Sequence, residues 1–142
     1  MGDAIVVGTD GSETAKRAVA EAARLAHALG GQVHVVSAYE PLRGVRVAGV
    51  AEDLQPRPDA IVESTLAQAA AAVRIAEVEV KTHAARGDPA DALVAVAAEV
   101  DANMIVVGNQ GMHGAKRVLG SVPNTVSHKA RCNVLIVSTD QP

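Results

Sequence analysis

From one end of this chain to the other, segments with the unbroken or two-residue apolar pattern of a strand alternate with segments carrying the stripe of a helix. That order confines the fold to a parallel sheet covered by helices on both faces, because consecutive parallel strands must be joined by a crossover. Ala4 to Val7 is wholly apolar, as a central strand should be, and Gly8-Thr9-Asp10-Gly11-Ser12 follows as a turn. Ser12 is placed to cap a helix running to about Leu29, with Ala15, Ala18, Val19, Ala22, Leu25, Ala26 and Leu29 on its sheet-facing stripe and Gly30-Gly31 closing it. Val33 to Tyr39 reads as the second strand, and Asp59 to Val73 as an Ala-rich second helix opened by Pro58-Asp59. Between them, Glu40 to Pro58 is the longest loop, either a functional lid or a surface excursion. Glu77 to Ala84 alternates charged and apolar side chains, the pattern of a half-exposed edge strand. Asp88 is positioned to cap a third helix that begins at Pro89 and ends near Val100. Met104 to Val107, Ser121 to about Ala130 and Val134 to Val137 supply a strand, a helix and a last strand. The expectation is one domain over residues 1–142, a three-layer α/β/α fold whose five-stranded parallel sheet has the Rossmann-like order 3-2-1-4-5.

Composition narrows the partners. Hydrophobic residues make up 49% of the chain, yet there is no Phe, no Trp and only Tyr39, so the core must be aliphatic. The net charge of -3 includes no basic run long enough to follow a phosphate backbone, and stacking side chains are missing, which argues against nucleic acid. The lone Cys132 leaves no intramolecular disulfide and no zinc framework, and it reads as a small apolar residue. No apolar stretch approaches the roughly 20 residues of a membrane span. Met-Gly-Asp-Ala runs straight into a strand without a signal peptide, so a cytoplasmic protein is expected.

In an open parallel sheet a ligand sits beyond the carboxyl ends of the strands. Three segments end strands there: Gly8 to Ser12, Ala38-Tyr39-Glu40, and Gly108-Asn109-Gln110-Gly111. The last continues through a basic loop, Met112 to Leu119, to Gly120-Ser121, where a helix begins. Glycines let backbone donors approach an anion, and a helix start offers free N–H groups at the positive end of its dipole, so phosphate is the natural guest. The spacing is neither Gly-x-x-x-x-Gly-Lys-Ser/Thr nor Gly-x-Gly-x-x-Gly after the first strand, which sets aside P-loop and ordinary dinucleotide enzymes.

Ile5-Val6-Val7-Gly8-Thr9-Asp10-Gly11-Ser12 at one end, and Gly108-Asn109-Gln110-Gly111 with Gly120-Ser121-Val122 and Val134-Leu135-Ile136-Val137 at the other, resemble the two signature regions of the universal stress protein family. The nucleotide-binding branch of that family carries Gly, two residues, Gly, nine residues, Gly, then Ser or Thr. Here residues 112–119 separate Gly111 from Gly120, one fewer than the pattern. Such a loop would tighten the cradle or favour a ligand with fewer phosphates. Gly-Asn-x-Gly with Gly-Ser-Val-Pro is similar to cyclic AMP binders of the family, so cyclic AMP rivals ATP as the ligand. The resemblance implies Asp10 near the ribose or, with ATP, near a magnesium ion, and Ala38 reading the adenine edge through its backbone. It implies Gly108, Gly111, Gly120, Ser121 and Val122 at phosphate and ribose, with Gly8, Thr9, Val107 and Asn109 completing the set. It further implies a stress-response sensor or regulator, a homodimer joined through the last strand and a protein partner yet to be identified.

From the residues themselves, Asp10 could equally serve to cap its turn, and Lys116 and Arg117 could be a solvated loop as readily as phosphate contacts. The five histidines, His27, His34, His83, His113 and His128, are scattered, and only His113 falls near the site. No catalytic grouping can be assembled, so binding with at most slow ATP hydrolysis is expected. A phosphoacceptor receiver domain fails because the last strand is followed by Ser138-Thr139-Asp140 with no Lys, and a flavin module would lean on Tyr39 alone. The alternative that stays open is a dimeric interaction or scaffold protein with little nucleotide affinity.

Overall fold

A computed structural model describes residues 3–39, 60–109, 112–113, 116–117 and 119–138, with backbone only at 112–113 and 116–117. Five strands form one parallel sheet: β1 (Ala4–Gly8), β2 (Gln32–Tyr39), β3 (Glu79–Arg86), β4 (Met104–Gly108) and, last in the chain, β7 (Asn133–Val137). Their order is β3-β2-β1-β4-β7, the expected 3-2-1-4-5 arrangement of the five principal strands. The segment read as a plain basic loop contains a two-stranded antiparallel ribbon, β5 (Met112–His113) paired with β6 (Lys116–Arg117).

Four helices cover the sheet: α1 (Glu13–Leu29), α2 (Ala60–Ile75), α3 (Pro89–Glu99) and α4 (Ser121–Lys129). On one face Ile5, Val7, Val33, Val35 and Val106 pack against the alanines of α1 and against Val62, Leu66 and Val73 of α2. On the other, Val6, Val36, Ile105 and Val107 meet Leu93, Val96 and Ala97 of α3 and Val126 of α4. Alternate residues of each central strand thus enter opposite cores, which is why these strands are apolar on both faces. Each Val or Ile so buried stabilises the fold by about 1.5–3 kcal/mol before chain entropy is set against it.

Sequence and structure differ in places with clear causes. Leu29, placed on the buried stripe of α1, is half exposed, while Ala23 is buried in its stead. Alanine at 15, 18, 22, 23 and 26 lets α1 lie close on the sheet, and the helix ends at Gly30 immediately after Leu29. The edge strand starts two residues later than its alternation suggests, because Glu77 turns the chain with φ 60 before Val78 enters the core. β3 is nonetheless the charged edge that was expected, with Glu79, Lys81 and Arg86 exposed. Cys132 is half-buried against the α3/α4 core, and burial pushes its thiol up.

Candidate functional site

β1, β2 and β3 are laid down outward in one direction, and the chain then returns through α3 to place β4 on the opposite side of β1. Helices leave opposite faces of the sheet on either side of that reversal, so a crevice opens beyond the carboxyl ends of β1 and β4. A cleft of about 670 Å³, counted to its open mouth, occupies this position.

One wall is aliphatic. Val36 and Ala38 of β2 contribute from the sheet, and Pro89 and Leu93 contribute from the first turns of α3. Gly8 sits between them, and a Cβ there would stand 3.1 Å from Leu93 Cδ1, so glycine keeps this wall open. The backbone of β2 adds a polar edge. The N–H of Gln32 donates to Asp3 and the carbonyl of Val36 accepts from Thr9, whereas the carbonyl of Tyr39 accepts from Gly87 beyond β3. Even-numbered residues of β2 therefore turn both backbone groups toward β1 and odd-numbered ones toward β3. The β1–β2 register ends at Gly8 opposite Val36, so the N–H and C=O of Ala38 point past the end of β1 into the cleft.

The opposite end belongs to helix starts. Ser12 caps α1 by accepting from Ala15 N–H at 3.2 Å, and Asp88 caps α3 by accepting from Asp91 N–H at 3.1 Å. α4 differs: its N-cap, Gly120, has no side chain to accept from the first turn. Pro123 has no N–H, which leaves Ser121 and Val122 to present backbone donors where the helix dipole is positive. Val122 and Pro123 line the cleft, as do Val107 and Gly108 at the end of β4.

Thr9 and Asp10 line it too, and both shape the β1–α1 turn. Thr9 Oγ1 accepts from Gly11 N–H at 3.1 Å and Asp10 Oδ1 from Ser12 N–H at 2.9 Å. Gly11 has φ 82, a conformation that side chains disfavour. The capping role weighed for Asp10 is thus present, and the residue also lines the cleft. Asn109 is buried, and its N–H donates to the Val137 carbonyl at 3.1 Å, tying the end of β4 to β7.

The structure accordingly brings Gly8, Thr9, Asp10, Ala38, Val107, Gly108 and Val122 around one cleft. Gly120 and Ser121 stand beside it at the start of α4, and Asn109 just behind the end of β4. Gly111 lies outside the described residues, as do Gln110, the loop from Glu40 to Pro58 and the side chains of His113, Lys116 and Arg117. Sequence reasoning missed Thr14, Ala15, Val36, Pro89, Leu93 and Pro123. Val36 was within reach, being two residues before Ala38 on the same face of a strand. Pro89 and Leu93, four apart on α3, follow from the sheet order once α3 is laid over the β1–β2 side.

The site is thus a cleft at the switch point of a doubly wound sheet, with an aliphatic wall, a backbone edge at one end and a helix start at the other. The universal stress protein family model matches residues 1–138. A universal stress protein of Mycobacterium tuberculosis strain H37Rv is 39% identical over 140 residues, 95% of each chain. A solved universal stress protein in complex with cAMP superposes with a TM-score of 0.78 at 34% identity, covering 98% of both chains. The universal stress protein of Archaeoglobus fulgidus in complex with dAMP gives 0.70 at 31% identity, covering 94% of this chain and 96% of that one. The chain belongs to the universal stress protein family.

Proposed function

We propose that the chain is one nucleotide-binding unit over its whole length, and that its cleft takes an adenine nucleotide, with cyclic AMP or a monophosphate preferred to ATP. The observation that carries this is the pairing of Ala38, whose N–H and C=O face the cleft, with the uncapped start of α4. Adenine offers an acceptor ring nitrogen beside a donor amino group, which complements an N–H beside a C=O. Guanine presents the opposite order on that edge. Val36, Ala38, Pro89 and Leu93 would enclose the base, and the N–H groups of Ser121 and Val122 would meet a phosphate. The loop one residue shorter than the ATP-binding pattern supports a ligand with fewer phosphates. Relatives solved with cAMP and dAMP support the same class.

Asp10 fits a magnesium ion only as a single carboxylate arriving with ATP, since no group of three metal-ligating side chains gathers among the described residues. The protein binds rather than turns over its ligand, with at most slow ATP hydrolysis. It acts in the cytoplasm as a stress-response sensor whose liganded surface a protein partner reads. It works as a homodimer through β7: this edge strand pairs only with β4 among the described residues, and Val134 to Val137 are half-buried, whereas the opposite edge is charged.

Calorimetry of the pure protein against cyclic AMP and against ATP with magnesium tests the ligand, with Gly111→Glu as control. Tighter binding of cyclic AMP, lost in the variant, is the expected result, and silence for both ligands would leave the scaffold reading in possession. Light scattering at micromolar concentration should return a dimer mass; a monomer would end the β7 proposal.

A further inference from the structure

Two histidines outside the proposed contacts lie on the cleft's side of the sheet. His34 is two residues before Val36 on β2, so both side chains face α3, and His83 on β3 is in register with Val36. Nδ1 of His34 stands 2.9 Å from Nε2 of His83, with ring centroids 5.2 Å apart. At that distance the two nitrogens share one proton, because one must donate and the other accept. His34 is only 3% exposed, and its Nε2 has no hydrogen-bond partner among the described residues. The arrangement favours the hydrogen on His34 Nδ1, donating to His83, since a buried bare acceptor is better tolerated than a buried orphan N–H.

A second proton finds no good place. On His34 Nε2 it would put a charge into the layer formed by Val6, Val36, Leu93 and Val96. On His83 Nε2 it could donate to His34 Nδ1 only if the His34 hydrogen moved to Nε2, where it would be buried without a partner among the described residues. Burial first, then the neighbouring His83 and Lys81, hold the His34 imidazole below its ordinary range, opposed by Glu79. Lys81 and Glu79 are the charged groups on this face of β3; the core face of α3 contributes only apolar side chains, its Asp91 and Glu99 being exposed. β1 contributes Val6.

We propose that the His34–His83 pair is a proton-linked latch that holds β2 and β3 in the form that binds nucleotide, so that acidification weakens binding and binding expels a proton. The coupling rests on the nucleotide reading above, since Val36 lies between the pair and the ligand. The sign follows from linkage. An unfolded histidine takes up its proton near pH 6.5 and folded His34 only below that, so stability present above about pH 6.5 is lost as pH falls through the folded value. A nucleotide that presses Leu93 and Val36 together favours the unprotonated pair, and by reciprocity a proton disfavours the nucleotide.

The test uses the full chain and His83→Gln, whose Oε1 can accept from His34 Nδ1–H at every pH. Urea unfolding without ligand, and calorimetry with cyclic AMP in buffers of different ionisation enthalpy, are run at pH 7.5 and 5.5; the phosphodiester does not titrate in this range. The wild type should lose stability on acidification and lose affinity by up to about tenfold per pH unit, releasing a proton on binding wherever the unliganded pair carries one. His83→Gln should make both slopes shallower without abolishing them, because the burial of His34 remains. Equal stability slopes in the two proteins would overturn the latch. Different stability slopes with the same affinity ratio would overturn its coupling to the cleft. If cyclic AMP fails to bind at pH 7.5, the nucleotide reading and the coupling fall together, while the urea slopes still judge the pair. Should the variant not fold, imidazole nitrogen spectra of the wild type decide: His34 with its hydrogen on Nδ1 at pH 7.5 and taking up a proton only below the ordinary histidine range supports the latch, and an ordinary titration overturns it.

Discussion

Replacing Ala38 by proline isolates the backbone edge of the cleft. Tyr39 turns its carbonyl toward β3 and Val36 turns its own toward β1, so the Ala38 N–H lies on the β1 side, two residues beyond the last β1–β2 pair. Proline there removes no ladder hydrogen bond, and its effect on Ser37 is to favour the extended conformation that residue already has. Folding stability should therefore change by less than about 1 kcal/mol in urea, the range of substitutions that break no buried feature. Binding should suffer more. An adenine ring nitrogen left without its donor in a closed slot costs about 1–3 kcal/mol, which weakens cyclic AMP by roughly 5- to 150-fold at 25 °C. Calorimetry on the folded variant measures this directly. Unchanged affinity would show that the base does not meet the Ala38 N–H. A stability loss well beyond the stated range would show that the N–H belongs to the sheet, and the strand-alternation reasoning would fail with it.

Leu93→Ala should cost about 2–5 kcal/mol of stability, because this nearly inaccessible side chain joins the α3 core to the cleft wall; a wild-type urea midpoint would contradict the packing described for α3. Gly31→Ala should be disruptive for a different reason. A Cβ at that position would stand 2.2 Å from the Asp3 carbonyl oxygen, the atom that accepts from Gln32 N–H where β1 and β2 begin. A loss above about 2 kcal/mol is expected from the backbone shift, and a variant as stable as the parent would refute so close an approach.

What the sequence made legible was whatever depends on local pattern. Ala4 to Val7 and Met104 to Val107 read as buried strands because both of their faces are apolar, and Ser12 and Asp88 read as caps because their oxygens answer a local need of the helix start. Gly8 and Gly108, which line the cleft, were legible on the same ground. Leu93 and Pro89 were not, because a leucine on an α3 stripe looks like any core leucine until the sheet order lays that helix beside Gly8. The His34–His83 contact was invisible for a related reason. Its partners are 49 residues apart and meet only through the parallel register of β2 and β3, which no local signal specifies.

The absence of Phe and Trp, which at first only described the core, also bears on how the proposed ligand is held. Without aromatic faces among the cleft residues, a base gains from aliphatic contact and fit, both of which accept any flat heterocycle. Discrimination must then come from groups with fixed direction. In this cleft those are main-chain atoms: the N–H and C=O of Ala38, oriented by the β2 ladder, and the first N–H groups of α4. Their placement depends on the sheet and on glycine, so single side-chain changes at Val36 or Val122 should alter affinity more than the order of preference among bases. Guanosine and adenosine monophosphates compared on Val36→Ala test this point: both affinities should fall while their ratio holds. A ratio that collapsed would mean that side chains, and not the strand, choose the base.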